Sequence, residues 1–306
     1  MPLNRRDFIA NSLAGAGALA LGASAEAAKP VRFKSADPFQ LVPLGRTGVK
    51  VSLIGCGTGM RGGGRQSNQT RMGREKFEAL LRYAYDRGCR LFDCADMYGT
   101  HPYVGRALKP LPREKYAITS KMWVMQGGIP EQERPDADVL VDRFRKELNT
   151  DYIDLVLLHC MYSPKWTDEQ KRYMDTMDRL KSKGIIKAHG VSIHSVEALK
   201  SCVTTKWVDS VHTRINPFGD SMDSKNPDDV VPVLKQIHDA GKGVVGMKLI
   251  GEGRYRDDPA KKDQAIRFVL GLGCVDTMIV GFEKPEEIDD FATRVKSALQ
   301  SIRASA

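Results

Sequence analysis

Four side chains stand where short apolar runs give way to polar residues. Asp93 follows Leu91-Phe92, Tyr98 comes five residues later, Lys121 closes Ala117-Ile118-Thr119-Ser120, and His159 closes Leu155-Val156-Leu157-Leu158. Together these residue types can move a proton. A tyrosine hydroxyl is a suitable acid, but its ordinary pKa near 10 is high for work at neutral pH. A lysine ammonium beside it stabilises the phenolate and lowers that pKa, and an aspartate paired with the lysine keeps it charged and in place. Tyr98 is therefore read as the acid, Lys121 as its tuner and Asp93 as the partner of Lys121. Each residue alone also has a structural reading, since a strand-end Asp caps loops and a strand-end His is often an ordinary core residue. Their recurrence at the same end of successive strands favours a site.

The elements that must position them follow from periodicity. Apolar runs at Val51 to Cys56, Arg90 to Ala95, Tyr116 to Lys121, Ile153 to His159, Ile186 to Ser192, Val208 to Ile215, Gly243 to Leu249 and Thr277 to Val280 make eight candidate strands. They are rich in β-branched residues and lack strict polar alternation, as strands covered on both faces do. Between them, helical spacing marks Glu75 to Asp86, Asp136 to Leu148, Asp168 to Lys181, Val230 to Ala240, Ala260 to Leu270 and Pro285 to Leu299. Shorter helices at Val104 to Leu108 and Val196 to Cys202 fill the two remaining gaps. Repeated strand-helix units predict an α/β fold of the (β/α)8 TIM-barrel type, whose reacting groups sit at the C-terminal ends of the strands. A Rossmann sheet is disfavoured, because Gly55-Cys56-Gly57-Thr58-Gly59 lacks the final spacing of the dinucleotide fingerprint.

Phe92-Asp93-Cys94-Ala95-Asp96-Met97-Tyr98-Gly99 resembles the D-x-A-x-x-Y-G signature of the aldo-keto reductases. Leu44-Gly45-Arg46-Thr47-Gly48 is similar to that family's N-terminal hairpin. Asp151-Tyr152-Ile153-Asp154 with Leu158-His159 resembles its fourth strand, and Gly190-Val191-Ser192 its fifth. The resemblance spans residues 39–298. It implies carbonyl reduction with hydride from a nicotinamide, and it assigns His159 to hydrogen-bond and orient the carbonyl. Negative charge grows on the carbonyl oxygen as hydride arrives, and it must be protonated or held by donors. In the alcohol-oxidising direction the same tyrosine acts as base.

The resemblance also implies where NAD or NADP would lie: Gly57 and Thr58 after the first strand, Ser192, His212, Met247, Lys248, Gly281, Phe282 and Glu287. Several of these depart from the family pattern. Ile193 replaces the usual Asn after Ser192, with His194 next; His212 stands for a glutamine, and Met247 for a stacking aromatic residue. At the adenine end, Gly281-Phe282 and Glu287 replace a Lys-Ser pair and an Arg that surround a 2′-phosphate. An acid there repels a phosphate but accepts from a free ribose hydroxyl, which favours NAD, although Lys284 lies close enough in sequence to restore a phosphate contact. His101 and Trp123 are candidates for the substrate pocket, the first with solvation as its bland reading. No metal site is read.

The first 25 residues stand apart. Arg5-Arg6 precedes an uncharged run from Ile9 to Ala25 that ends in small residues, and the segment resembles a twin-arginine export signal. The division is then residues 1–25 signal, 26–38 linker, 39–298 barrel and 299–306 tail. The expected destination is the periplasm or another exported location, with the twin-arginine machinery and a small carbonyl or alcohol substrate as partners. Beyond the signal no run is long and apolar enough for a membrane span. With 42% hydrophobic and 28% charged residues the chain of 306 is neither disordered nor collagenous. The net charge of +9 is spread over amphipathic stretches with interleaved acids, so no nucleic-acid partner is expected. Six scattered cysteines with no C-x-x-C read as buried thiols. The rival from another class is a non-catalytic barrel that keeps a nicotinamide as a regulatory ligand; a metal hydrolase lacks clustered ligands.

Overall fold

The computed structural model describes residues 33–305, so the export signal expected over residues 1–25 lies outside the described residues. Strands β1 (Leu41–Pro43) and β2 (Lys50–Ser52) form an antiparallel hairpin. Eight parallel strands then close a barrel: β3 (Ile54–Gly57), β4 (Leu91–Asp93), β5 (Ala117–Met122), β6 (Ile153–Met161), β7 (Ile186–Ile193), β8 (Ser210–Arg214), β9 (Gly243–Met247) and β10 (Thr277–Gly281), which pairs back onto β3. The expected (β/α)8 barrel with an N-terminal hairpin is the observed fold. The apolar run Val51 to Cys56 divides between the hairpin and the first barrel strand, because period alone cannot show that Leu53 is a corner.

Helices cover the outside: α1 (Asn68–Arg71), α2 (Arg74–Asp86), α3 (His101–Leu108), α4 (Ala137–Leu148), α5 (Trp166–Glu169), α6 (Lys171–Ser182), α7 (Val196–Thr204), α8 (Val231–Asp239), α9 (Pro259–Gly271) and α10 (Pro285–Ala304). Local chemistry sets their ends. Ser195 Oγ accepts from Ala198 N to start α7, and Asp258 accepts from Lys261 N to start α9. Asn149 takes a left-handed conformation to end α4. Two boundaries move outward from the sequence reading. α10 continues to Ala304 with Leu299 buried, so residues 299–304 are helix, and Phe33 and Phe39 are buried, with Arg303 Nη1 donating to Phe33 O at 2.8 Å.

Two apolar layers explain which side chains reach the mouth. Leu91, Ala117, Leu155, Leu157, Ala188, Val245 and Ile279 fill the barrel interior and pack with Leu44, Val49 and Val51 of the hairpin, which closes the N-terminal end. Their neighbours Phe92, Ile118, Val156 and Leu158 face outward into the core shared with the helices. Side chains alternate along a strand. Asp93, Lys121, His159, Ser192 and Met247, each two or four residues beyond an inward apolar residue, therefore point into the barrel at its C-terminal end. His212 joins them because it pairs in register with Ser192. Leu157 is fully buried in the interior layer. Leu157→Ala is expected to lower stability by about 2–5 kcal/mol, read from urea unfolding, because the surrounding strands cannot collapse into the cavity.

Candidate active site

Lys121 and Asp93 form a buried ion pair at the centre of the mouth. Lys121 Nζ donates to Asp93 Oδ1 at 2.7 Å and Oδ2 at 2.6 Å, and to Cys94 O at 2.9 Å, so its three protons are all engaged. His212 Nε2 lies 3.1 Å from Asp93 Oδ1. Burial alone would push the Asp93 carboxyl up, but the charge of Lys121 and the His212 hydrogen bond hold it below its ordinary value. The Asp93 backbone is held as well: Thr58 N and Thr58 Oγ1 donate to Asp93 O at 3.0 and 2.8 Å.

Tyr98 is carried by a 3-10 turn over Asp96–Tyr98 that ends at Gly99 in a left-handed conformation. Its hydroxyl lies 3.4 Å from His159 Nε2, and Lys121 Nζ is 5.1 Å from the centroid of its ring. The four sequence-derived residues thus converge, with one correction. Burial around the hydroxyl and the negative charge of Asp93 hold the Tyr98 pKa well above its ordinary value, so lowering by Lys121 does not prevail; the ammonium is turned to Asp93 instead. Burial, followed by the charge of Lys121, holds His159 well below the ordinary histidine value, so its ring is neutral at neutral pH.

The position of Tyr98 is enforced from outside. Side chains at Gly59 or Gly62 would run into the Tyr98 ring, and one at Gly99 would meet Arg65 O, so the loop after β3 lies flat on the tyrosine. Asp96 anchors the same turn through Arg65 Nε at 3.1 Å and Arg143 Nη2 at 2.6 Å. His101 is not in the pocket: its Nδ1 meets Glu147 Oε2 and its Nε2 meets Ser120 Oγ, both at 2.8 Å, with Phe144 against its ring. Ser120 precedes inward-facing Lys121 and so faces outward, taking His101 with it. Trp123 does reach the mouth, packing edge-on against His159 with ring centroids 5.5 Å apart.

The residues assigned to a cofactor divide. Ser192 Oγ accepts from Cys160 N at 2.8 Å, leaving its own proton available. Met247 ends β9 at the mouth and is partly exposed; Lys248 follows it and pairs with Glu252. Ile193 points away and is buried, and His194 takes the mouth position, with Cys160 Sγ at 3.4 Å and the Tyr162 hydroxyl at 3.1 Å. Thr58 is fully buried and used by Asp93, and Phe282 is buried with its ring edge-on to Phe291. Gln69 bridges Met60 N, Gly57 O and Phe282 O, and a side chain at Gly281 would run into Met60. The chain's own Met60 and Gln69 therefore cover Gly57 and Gly281.

Glu287 is corrected too. It is not a free acceptor: Arg256 Nε donates to it at 3.0 Å, it accepts from Glu283 N at 2.8 Å, and Arg256 also pairs with Glu283 at 2.6 Å. Sequence reading missed Arg256, which comes from the loop after β9. It also missed Arg214, at the end of β8, whose Nε lies 3.2 Å from buried Asp223. Burial pushes the Asp223 carboxyl up to about 6 despite Arg214. No local motif announces either pair.

A single barrel over the described residues whose mouth gathers a buried acid–base cluster defines an enzyme-type (β/α)8 domain, with the clustered groups drawn from strand ends and the loops that follow them. The chain belongs to the Aldo/keto reductase family, whose model matches residues 53–269. It is 27% identical over 225 residues to "Probable aldo-keto reductase 1" of Glycine max, covering 71% of this chain and 61% of that one. It is 31% identical over 169 residues to "Aldo-keto reductase family 1 member A1" of Rattus norvegicus, covering 48% and 47%. The matches thus span about half to three fifths of these curated relatives. Among solved structures, one assigned to the aldo-keto reductases from Pseudomonas aeruginosa superposes with a TM-score of 0.68 at 25% identity, covering 88% of this chain and 97% of that one. The holo form of an aldo-keto reductase from Bacillus halodurans gives 0.65 at 19%, covering 86% and 96%.

Lys121 and Asp93 are 1% and 5% exposed, too buried for water to replace a lost partner. Lys121→Met is expected to cost about 3–5 kcal/mol in chemical unfolding, because it strands the carboxylate, whereas adding Asp93→Asn to it recovers much of the loss.

Proposed function

We propose that the chain is an NAD(P)-dependent oxidoreductase that interconverts an aldehyde or ketone with its alcohol, Tyr98 being the general acid and base. The observation that carries this is the convergence of Tyr98, His159 and the buried Lys121–Asp93 pair at one strand-end mouth. A bound nicotinamide would supply hydride to the carbonyl carbon. Ser192, Met247 and Lys248 suit it: a hydroxyl with a proton to give, a thioether to pack on a ring, and a cation for a phosphate. Arg214 and Lys248 both act on the neighbouring His194, which burial and these two charges lower to about 3. To meet an anionic dinucleotide these two cations would exchange their present partners, Asp223 and Glu252, for its phosphates.

The residues then divide the work. Tyr98 holds its proton through neutral pH and releases it only to an oxygen that is gaining charge. Neutral His159 presents Nε2 beside the Tyr98 hydroxyl and orients the same oxygen, while Trp123 packs edge-on against His159 and walls the pocket. Tyr98→Phe is expected to lower kcat for carbonyl reduction by about 10²–10⁴-fold with cofactor affinity retained; unchanged turnover would favour the regulatory-ligand reading. Because the Tyr98 pKa lies above the ordinary value near 10, Tyr98 itself imposes no pH dependence on reduction between about pH 6 and 9. Alcohol oxidation, which needs the phenolate, rises with pH across that range in steady-state assays.

Glu283 and Glu287 against the one guanidinium of Arg256 leave the adenine side acidic, which supports NAD over NADP. The twin-arginine-like start supports export in the folded state, with the cofactor held tightly where no soluble nicotinamide pool renews it. All six cysteines are buried free thiols, as suits a chain that completes folding in a reducing compartment. Denaturing the exported protein should release stoichiometric NAD. Release of NADP would reverse the preference, and an empty protein of weak affinity would refute tight holding.

A further inference from the structure

The glutamine-like position on β8 does something that its assignment to a cofactor does not explain. Lys121 spends all three of its protons on Asp93 and Cys94 O. To stabilise a phenolate on Tyr98 it must turn one of them away, from Cys94 O or from Asp93. A proton taken from Asp93 leaves a carboxylate oxygen short of a donor inside the barrel, which is costly. Asp93 Oδ1 already has a second donor, because His212 Nε2 sits 3.1 Å away.

We propose that His212 is a positioning residue that keeps the Asp93 carboxylate hydrogen-bonded while Lys121 is shared with Tyr98. This rests on the reading of Tyr98 as acid and base. The proton on His212 is assigned by its partners: an ionised carboxylate can only accept, so Nε2 carries the hydrogen. Nδ1 is buried with no hydrogen-bond partner, so a second proton there would have nothing to accept it. Burial also holds His212 below the ordinary histidine value, and the ring is a neutral donor. Thr58 pins the Asp93 backbone and His212 its side chain, so the carboxylate keeps its place when a proton of Lys121 is redirected.

Two variants separate this role from a merely structural one. Gln offers an N–H to Asp93 and Leu does not. His212→Leu should lower kcat for carbonyl reduction by about tenfold or more while cofactor Kd changes little, and His212→Gln should recover most of it. Two readouts need no turnover. Ring-nitrogen NMR should show His212 as the neutral Nε2–H tautomer, with a shift that changes in Asp93→Asn. Titration of Tyr98 followed by carbon-13 tyrosine labelling, assigned with Tyr98→Phe, should move upward in His212→Leu and return in His212→Gln, since Lys121 is released less readily without His212. An Nδ1–H or protonated ring, a Tyr98 titration indifferent to His212→Leu, or equal loss of cofactor affinity in both variants would overturn the proposal. If Leu does not fold, the wild-type tautomer, its response to Asp93→Asn and the Gln variant still decide. Absent carbonyl turnover with both NMR results as expected would instead count against the proposed reaction and leave the Asp93–His212 coupling standing.

Discussion

The organisation of the mouth turns on one interaction, a lysine ammonium and an aspartate carboxylate both buried inside the barrel. Burying two charges costs several kcal/mol each unless geometry and further hydrogen bonds compensate. Both Asp93 oxygens and a main-chain carbonyl take the protons of Lys121, His212 adds a donor, and Thr58 holds the Asp93 backbone. The pair is thereby satisfied, and it imposes order on its surroundings. Burial with the negative charge of Asp93 raises Tyr98, and burial with the charge of Lys121 lowers His159, so both groups are neutral at neutral pH.

Such a pair must be built on elements that do not yield. Strand alternation supplies the direction, the interior apolar layer and the hairpin supply the floor, and parallel register sets the spacing between strands. Tyr98 is the exception, since it sits in a short turn rather than a strand. Its rigidity is borrowed: glycines 59 and 62 let a loop lie on its ring, and Asp96 is clamped between two arginines. The outward face of the same region, with His101, Ser120 and Glu147, braces α3 and α4 against β5 and takes no part in the mouth.

Around this centre the rim is a set of cations each matched by a nearby acid: Arg214 with Asp223, Lys248 with Glu252, Arg256 with Glu283 and Glu287. An anionic ligand entering here would have to compete with the chain's own carboxylates for these cations.

Much of this was legible in the order of residues. Eight short apolar runs separated by helical spacing prescribe a barrel, and a barrel prescribes strand ends as the place to look, so Asp93, Lys121 and His159 follow from local pattern, with Tyr98 in the loop five residues after Asp93. Patterns of this kind are legible because alternation and helical period are properties of neighbouring residues. What only the folded chain decided are the contacts between distant segments: His212 on Asp93 across 119 positions, Arg256 on Glu287, and Met60 with Gln69 over Gly57 and Gly281. The same holds for the direction of the Tyr98 shift. Residue types name the groups that can titrate, but burial and the distances between charges determine which way each one moves, and both are set by tertiary packing.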